Sequence, residues 1–171
     1  MQPPETILKR SGISSGMRLL DVGCGSGPYT IFMARAVGKD GLVYALDIQK
    51  DMLAKLEDKL ALPQNKDIIN VHPILADAAN LPLEDNSLDL ALIVSVTREF
   101  PDGHKVFKDI KRVLKPNGLL AVSEILIDMD YITRSEMSKL GVAAGFEIAE
   151  TKGNLWSYTM KFKKLPLKLD D

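Results

Sequence analysis

Along the chain, short runs of Val, Ile and Leu alternate with stretches whose apolar residues recur at helical spacing. That alternation is the mark of βα units, in which parallel strands are buried on both faces beneath covering helices. Seven runs read as strands: residues 17–22, 42–46, 69–75, 88–94, 119–125, 146–151 and 156–162. Between them, Ile31, Phe32 and Ala36 are expected to mark the inner face of a helix, and Met52, Leu53, Leu56 and Leu60 that of another, stopped by Pro63. Val106, Phe107, Ile110, Val113 and Leu114 form a further stripe behind a cap at Asp102. Thr133 and Glu136 have capping-box spacing ahead of Met137, Leu140 and Ala144, with Gly145 as the stop.

Local details constrain how these elements join. Pro73 cannot donate to a ladder, so the third strand belongs at an edge or is irregular. Pro116, Asn117 and Gly118 make a turn before the fifth strand, and Lys152, Gly153, Asn154 and Leu155 are few enough for an antiparallel hairpin at the end. Ahead of the first strand there is room only for a short helix over residues 5–10. No repeat, low-complexity tract or linker interrupts the 171 residues, so a single domain is expected.

Composition removes several classes of function. A chain 46% apolar and 26% charged is an ordinary globular domain. Its net charge of -1 lacks the broad positive field of a nucleic-acid binder. Neither a signal peptide nor a membrane span is read, and the single Cys24 has no companion for a disulfide or a zinc cluster. The expectation is a cytoplasmic protein without a metal.

The chemistry concentrates at three strand ends. Leu19-Leu20-Asp21-Val22-Gly23-Cys24-Gly25-Ser26-Gly27 runs a buried strand into alternating glycines and then a helix, where the backbone can approach a ligand and free amides favour an anionic group. A dinucleotide loop would carry a third glycine two positions beyond the second, and here that place is Pro28. Asp47, ending the second strand, could accept from both hydroxyls of a ribose and would repel a 2′-phosphate. Asp77, just past the third strand, could accept the amino group of an adenine.

With these residues the chain resembles the class I S-adenosylmethionine-dependent methyltransferases, in particular the small-molecule group containing the ubiquinone and menaquinone C-methyltransferases. Leu20 to Gly27 is similar to the family's first motif, Tyr44-Ala45-Leu46-Asp47 to its ribose motif, Asp77-Ala78 to its adenine motif, and Val113-Leu114-Lys115-Pro116-Asn117-Gly118-Leu119-Leu120 to its turn before the fifth strand. The resemblance implies a three-layer α/β, Rossmann-like methyltransferase fold whose seven-stranded, mostly parallel sheet has the order 3-2-1-4-5-7-6, with strand 7 antiparallel. It implies that Asp21, Gly23, Gly25 and Gly27 hold the methionine part of S-adenosylmethionine, that Asp47 holds the ribose, and that Ile48 and Ala78, with Asp77, hold the adenine. Ser95 would sit near the sulfonium, and Cys24 and Met52 join the cofactor-contacting set, Cys24 as a loop filler without chemistry of its own.

The reaction implied is methyl transfer from S-adenosylmethionine to an unidentified acceptor, a small or lipid-like molecule, leaving S-adenosylhomocysteine. Because the methyl group arrives activated, a dedicated base is optional. His104, Glu99 and Glu124 are the candidates for one, by their place along the chain. Relatives often carry histidine where this chain has Thr97-Arg98-Glu99. The short leading segment and the brief connection after residue 125 imply a nearly lidless acceptor site, covered by a large substrate or a second copy. Two rival readings stand beside this one: an S-adenosylmethionine-binding partner without activity, and an NAD-binding oxidoreductase, which Pro28 disfavours.

Overall fold

The computed structural model describes residues 3–126, 131–154 and 156–165. Its strands are β1 (Arg18–Val22), β2 (Leu42–Asp47), β3 (Val71–Leu75), β4 (Leu88–Val94), β5 (Leu114–Ile125), β6 (Glu147–Gly153) and β7 (Ser157–Lys163). Its α-helices are α1 (Pro4–Ser11), α2 (Thr30–Val37), α3 (Lys50–Leu60), α4 (Gly103–Val113) and α5 (Arg134–Ala143). The strands form one seven-stranded sheet in the order β3-β2-β1-β4-β5-β7-β6. β7 is antiparallel to both neighbours and the remaining pairings are parallel.

Alternate side chains of each central strand enter opposite cores, which is why these runs are continuously apolar rather than alternating. Leu20, Val22, Ala91, Ile93, Leu120 and Val122 pack beneath α4 and α5, with Phe107, Ile110 and Met137 from the helices. Leu19, Leu90, Leu92 and Ala121 pack on the other face against Ile7 of α1 and Met33, Ala34 and Val37 of α2. Each such fully buried Leu, Val or Ile side chain contributes roughly 1.5–3 kcal/mol to the folded state.

The inner face of α2 differs from the one the sequence pattern predicts. Thr30, Met33, Ala34 and Val37 are buried, whereas Ile31 and Phe32 are partly exposed and Ala36 is exposed. The glycine loop fixes how the helix is rotated as it leaves the sheet, and Thr30 is drawn inward by a hydrogen bond to Asp21.

β3 is an edge strand, one of the two outcomes that Pro73 allows. Asn70 accepts from the Val43 amide and the Ala76 amide donates to Asp47, so even-numbered residues of β3 face β2 and the Pro73 nitrogen lies on the open side. The strand begins at Val71 rather than at residue 69, because the Asn70 side chain turns away to donate to the Ala34 and Gly38 carbonyls, covering the end of α2. β5 starts earlier than expected: Leu114 pairs with Leu88, the next registered pair is Leu119 with Leu90, and the Pro116-Asn117-Gly118 turn is looped out between them.

The caps form as the spacing predicts. Asp102 accepts from the Lys105 amide, and Thr133 and Glu136 make a reciprocal capping box. The closing hairpin is present, with Leu155 of its turn outside the described residues. Among the described residues no helix is long and apolar enough to cross a membrane.

Candidate active site

The carboxyl ends of β1, β2 and β4 open into two cavities on either side of Val96. The larger, about 480 Å³, is lined by Asp21, Cys24, Ser26, Pro28 and Tyr29 from the β1–α2 turn and by Val94, Ser95 and Ile125 from β4 and β5. The smaller, about 300 Å³, is lined by Asp47, Ile48 and Met52 from the β2–α3 turn, Asp77 and Ala78 past β3, and Glu99 and Phe100 past β4. Gly23, Gly25 and Val96 belong to both, so the two spaces are halves of one cleft.

The turn after β1 is shaped by backbone that favours glycine. Gly25 has φ +54, and a side chain there would meet nothing within 4 Å, so its bare Cα faces open space. Gly27, at φ +78, is different: a Cβ would press into Leu56 of α3, so this glycine serves close packing and lines neither cavity. Four amides of the loop are engaged within the fold. Gly23 and Cys24 both donate to the Leu46 carbonyl, Gly27 donates to the Cys24 carbonyl, and Gly25 donates to Asp47 Oδ2 at 2.8 Å.

Two buried carboxylates edge the cleft. Asp47 accepts from Gly25 through one oxygen and from the Gln49 amide through the other, also at 2.8 Å, which fixes the ends of β1 and β2 together. Asp21 is only 3% exposed and accepts from Thr30 Oγ1 at 2.6 Å. Burial raises its pKa from 3.8 to about 6, making it a weaker acid; the Thr30 hydrogen bond opposes that rise and the nearby Asp47 charge adds to it. A carboxyl held so far from water, facing a cavity, suits a cationic ligand group. Burial and the same two carboxylates push the Cys24 thiol up as well, which makes it a poor nucleophile.

Ser95 turns back over the larger cavity at φ +52, its amide held by the Ser123 carbonyl at 3.0 Å. Ile48 is 68% exposed at the mouth of the smaller one, an apolar surface suited to a flat aromatic ring. Asp77 accepts from the Ala79 amide, which sets its turn. Of the three candidate bases, Glu99 lines the smaller cavity and the other two line neither. His104 Nε2 lies 3.0 Å from the Ala143 carbonyl, joining α4 to α5. Glu124 is buried beneath the loop after β4 and accepts from Thr97 Oγ1 at 2.9 Å. The larger cavity also draws on Ser26, Pro28, Tyr29, Val94, Val96 and Ile125, which sequence reasoning did not place in the cofactor-contacting set. Their only advance signal was proximity to the glycine turn or to a strand end.

Fold and cleft together define an α/β protein that takes a nucleoside cofactor at the carboxyl edge of a sheet with the methyltransferase strand order. The chain belongs to the methyltransferase domain family, whose match covers residues 13–163. It is similar to the demethylmenaquinone methyltransferase of Staphylococcus aureus, 37% identical over 118 residues, 69% of this chain and 47% of that protein. The corresponding Geobacillus protein is 38% identical over 120 residues, 70% of this chain and 50% of that protein. The chain thus spans about half the length of these relatives. Among solved structures, a SAM dependent methyltransferase from Aquifex aeolicus superposes with a TM-score of 0.85 at 25% identity, covering 95% of this chain and 89% of that one. The [4+2]-cyclase SpnF shares the fold at a TM-score of 0.81 and 19% identity, covering 95% and 79%. S-adenosylmethionine is the cofactor that this family and its structural neighbours imply.

Proposed function

We propose that this chain transfers a methyl group from S-adenosylmethionine to a small, lipid-like aromatic acceptor of the quinone class, in a reducing, cytoplasmic setting. The carrying observation is the division of the cleft at Val96. One half is edged by Asp47 and Asp77 and floored by apolar Ile48, Met52 and Ala78, which suits a ribose and an adenine. The other has Asp21 at its base and the apolar walls Tyr29, Val94 and Ile125, which suit a charged amino-acid end beside an apolar acceptor.

Bound there, the sulfonium supplies an already activated methyl group, whose bond to sulfur breaks as the bond to the acceptor forms and the acceptor gives up a proton. The chain's part is to place and to dry. Asp47 orients the ribose, Asp21 holds the ammonium, Ser95 and Val96 set the line of approach, and the apolar walls keep water from the reacting atoms. The quinone class is supported by the Staphylococcus and Geobacillus relatives and by those walls. The SpnF likeness supports the fold alone and is the reason that activity needs its own test.

The test is transfer of labelled methyl from S-adenosylmethionine to a short-chain demethylated naphthoquinone in its reduced form, beside calorimetry with S-adenosylhomocysteine. Binding with transfer is expected. Binding without transfer to any quinol would remove the acceptor class, and no binding would remove the methyl donor.

A further inference from the structure

The outer limb of the glycine turn is gripped by α3. Leu56 packs under Gly27, and one turn further along the same helix face Lys59 Nζ donates to both the carbonyl and the hydroxyl oxygen of Ser26, each at 2.8 Å. An ammonium has donors and no acceptor, so Ser26 Oγ accepts here and its own proton is left for another partner. Ser26 lines the larger cavity. A hydroxyl already bonded to a cation is a stronger donor, because linked hydrogen bonds polarise one another.

Four amides of the turn do not compete for that role. The amides of Gly23, Cys24, Gly25 and Gly27 are engaged inside the fold, and the inner side of the turn carries Asp21 and Asp47. An incoming carboxylate would be repelled by those two unless a cation stood on the outer limb. Lys59, half-buried and fixed on Ser26, is such a cation.

We infer that the Ser26 hydroxyl, polarised by Lys59, holds the carboxylate at the amino-acid end of the methyl donor, while Asp21 takes the ammonium. Lys59 is then a positioning residue acting through Ser26, and α3 sets the turn both mechanically and electrostatically. This rests on the methyl-donor reading above.

Calorimetry on the full chain tests it with two ligands: S-adenosylhomocysteine, and 5′-methylthioadenosine, which keeps the adenosine and the sulfur but lacks the amino-acid end. Lys59→Met and Ser26→Ala should each weaken S-adenosylhomocysteine about tenfold, the size of a hydrogen bond to a charged group. 5′-Methylthioadenosine should stay within about twofold. The double variant should be little worse than either single one, since the two residues act as a unit, and Lys59→Arg should recover most of the loss.

Equal weakening of both ligands would mean that Lys59 only keeps the turn folded, and would overturn the inference. Unchanged S-adenosylhomocysteine affinity would overturn it too. Wild-type protein binding neither ligand would instead sink the methyl-donor reading, and this inference with it.

Discussion

The two halves of the cleft are edged by carboxylates in opposite condition. Asp47 enters the smaller cavity with each oxygen already bonded to a backbone amide. Asp21, on the neighbouring strand, has the Thr30 hydroxyl as its hydrogen-bond partner among the described residues and is pushed up to about 6 by burial. The carboxylate of the smaller cavity is therefore satisfied by folding itself. The larger cavity keeps a buried group whose ionised form lacks a counter-charge among the described residues, and a cationic ligand would supply one.

Asp21→Asn should separate the two conditions most sharply. Loss of the charge should weaken S-adenosylhomocysteine on the order of a hundredfold. The ligand-free variant should nonetheless be more stable than wild type above neutral pH. The folded state raises the Asp21 value above its unfolded one, so its contribution is intact below 3.8 and is lost as pH rises through about 6. That rise corresponds to at most about 3 kcal/mol. Urea titrations across this window should show wild type losing unfolding free energy relative to Asp21→Asn, and saturating S-adenosylhomocysteine should reverse the order. Parallel pH profiles would break the comparison.

The two ends of the turn sharpen it next. Gly27→Ala drives a methyl group into Leu56 at positive φ and should cost about 2 kcal/mol in thermal or urea unfolding. Gly25→Ala, with open space beside it, should cost about 1 kcal/mol but weaken ligand at least about tenfold by filling the cleft. Ligand affinity per unit of lost stability is the quantity to compare. The smallest effect belongs to His104→Ala, which should leave methyl transfer within about twofold and lower stability by less than about 1 kcal/mol, since this side chain joins two helices away from both cavities.

Much of the scaffold was legible because it depends on local rules. Pro73 allowed an edge strand or an irregular one, Thr133 and Glu136 announced their cap, and the glycine turn with Asp47 and Asp77 marked three strand ends that do converge on one cleft. What was not legible depends on how elements are rotated against one another. The inner face of α2 was misread because the turn, not the apolar count, sets its rotation. The amides of Gly23, Cys24 and Gly25 were spent on Leu46 and Asp47, carbonyl and carboxylate partners that only the assembled sheet brings near. His104 and Glu124 stand close to the cleft in sequence, yet one reaches across to α5 and the other is buried under Thr97. Lys59 is 33 residues from Ser26, and no pattern in the chain links them.

Pro73 also decides how the sheet ends. Its nitrogen faces outward from β3 and carries no hydrogen, so an approaching strand would find a gap in the row of donors at the centre of that edge. The flank beside the smaller cavity is thereby a poorer template for a further strand than an unbroken row of donors would be.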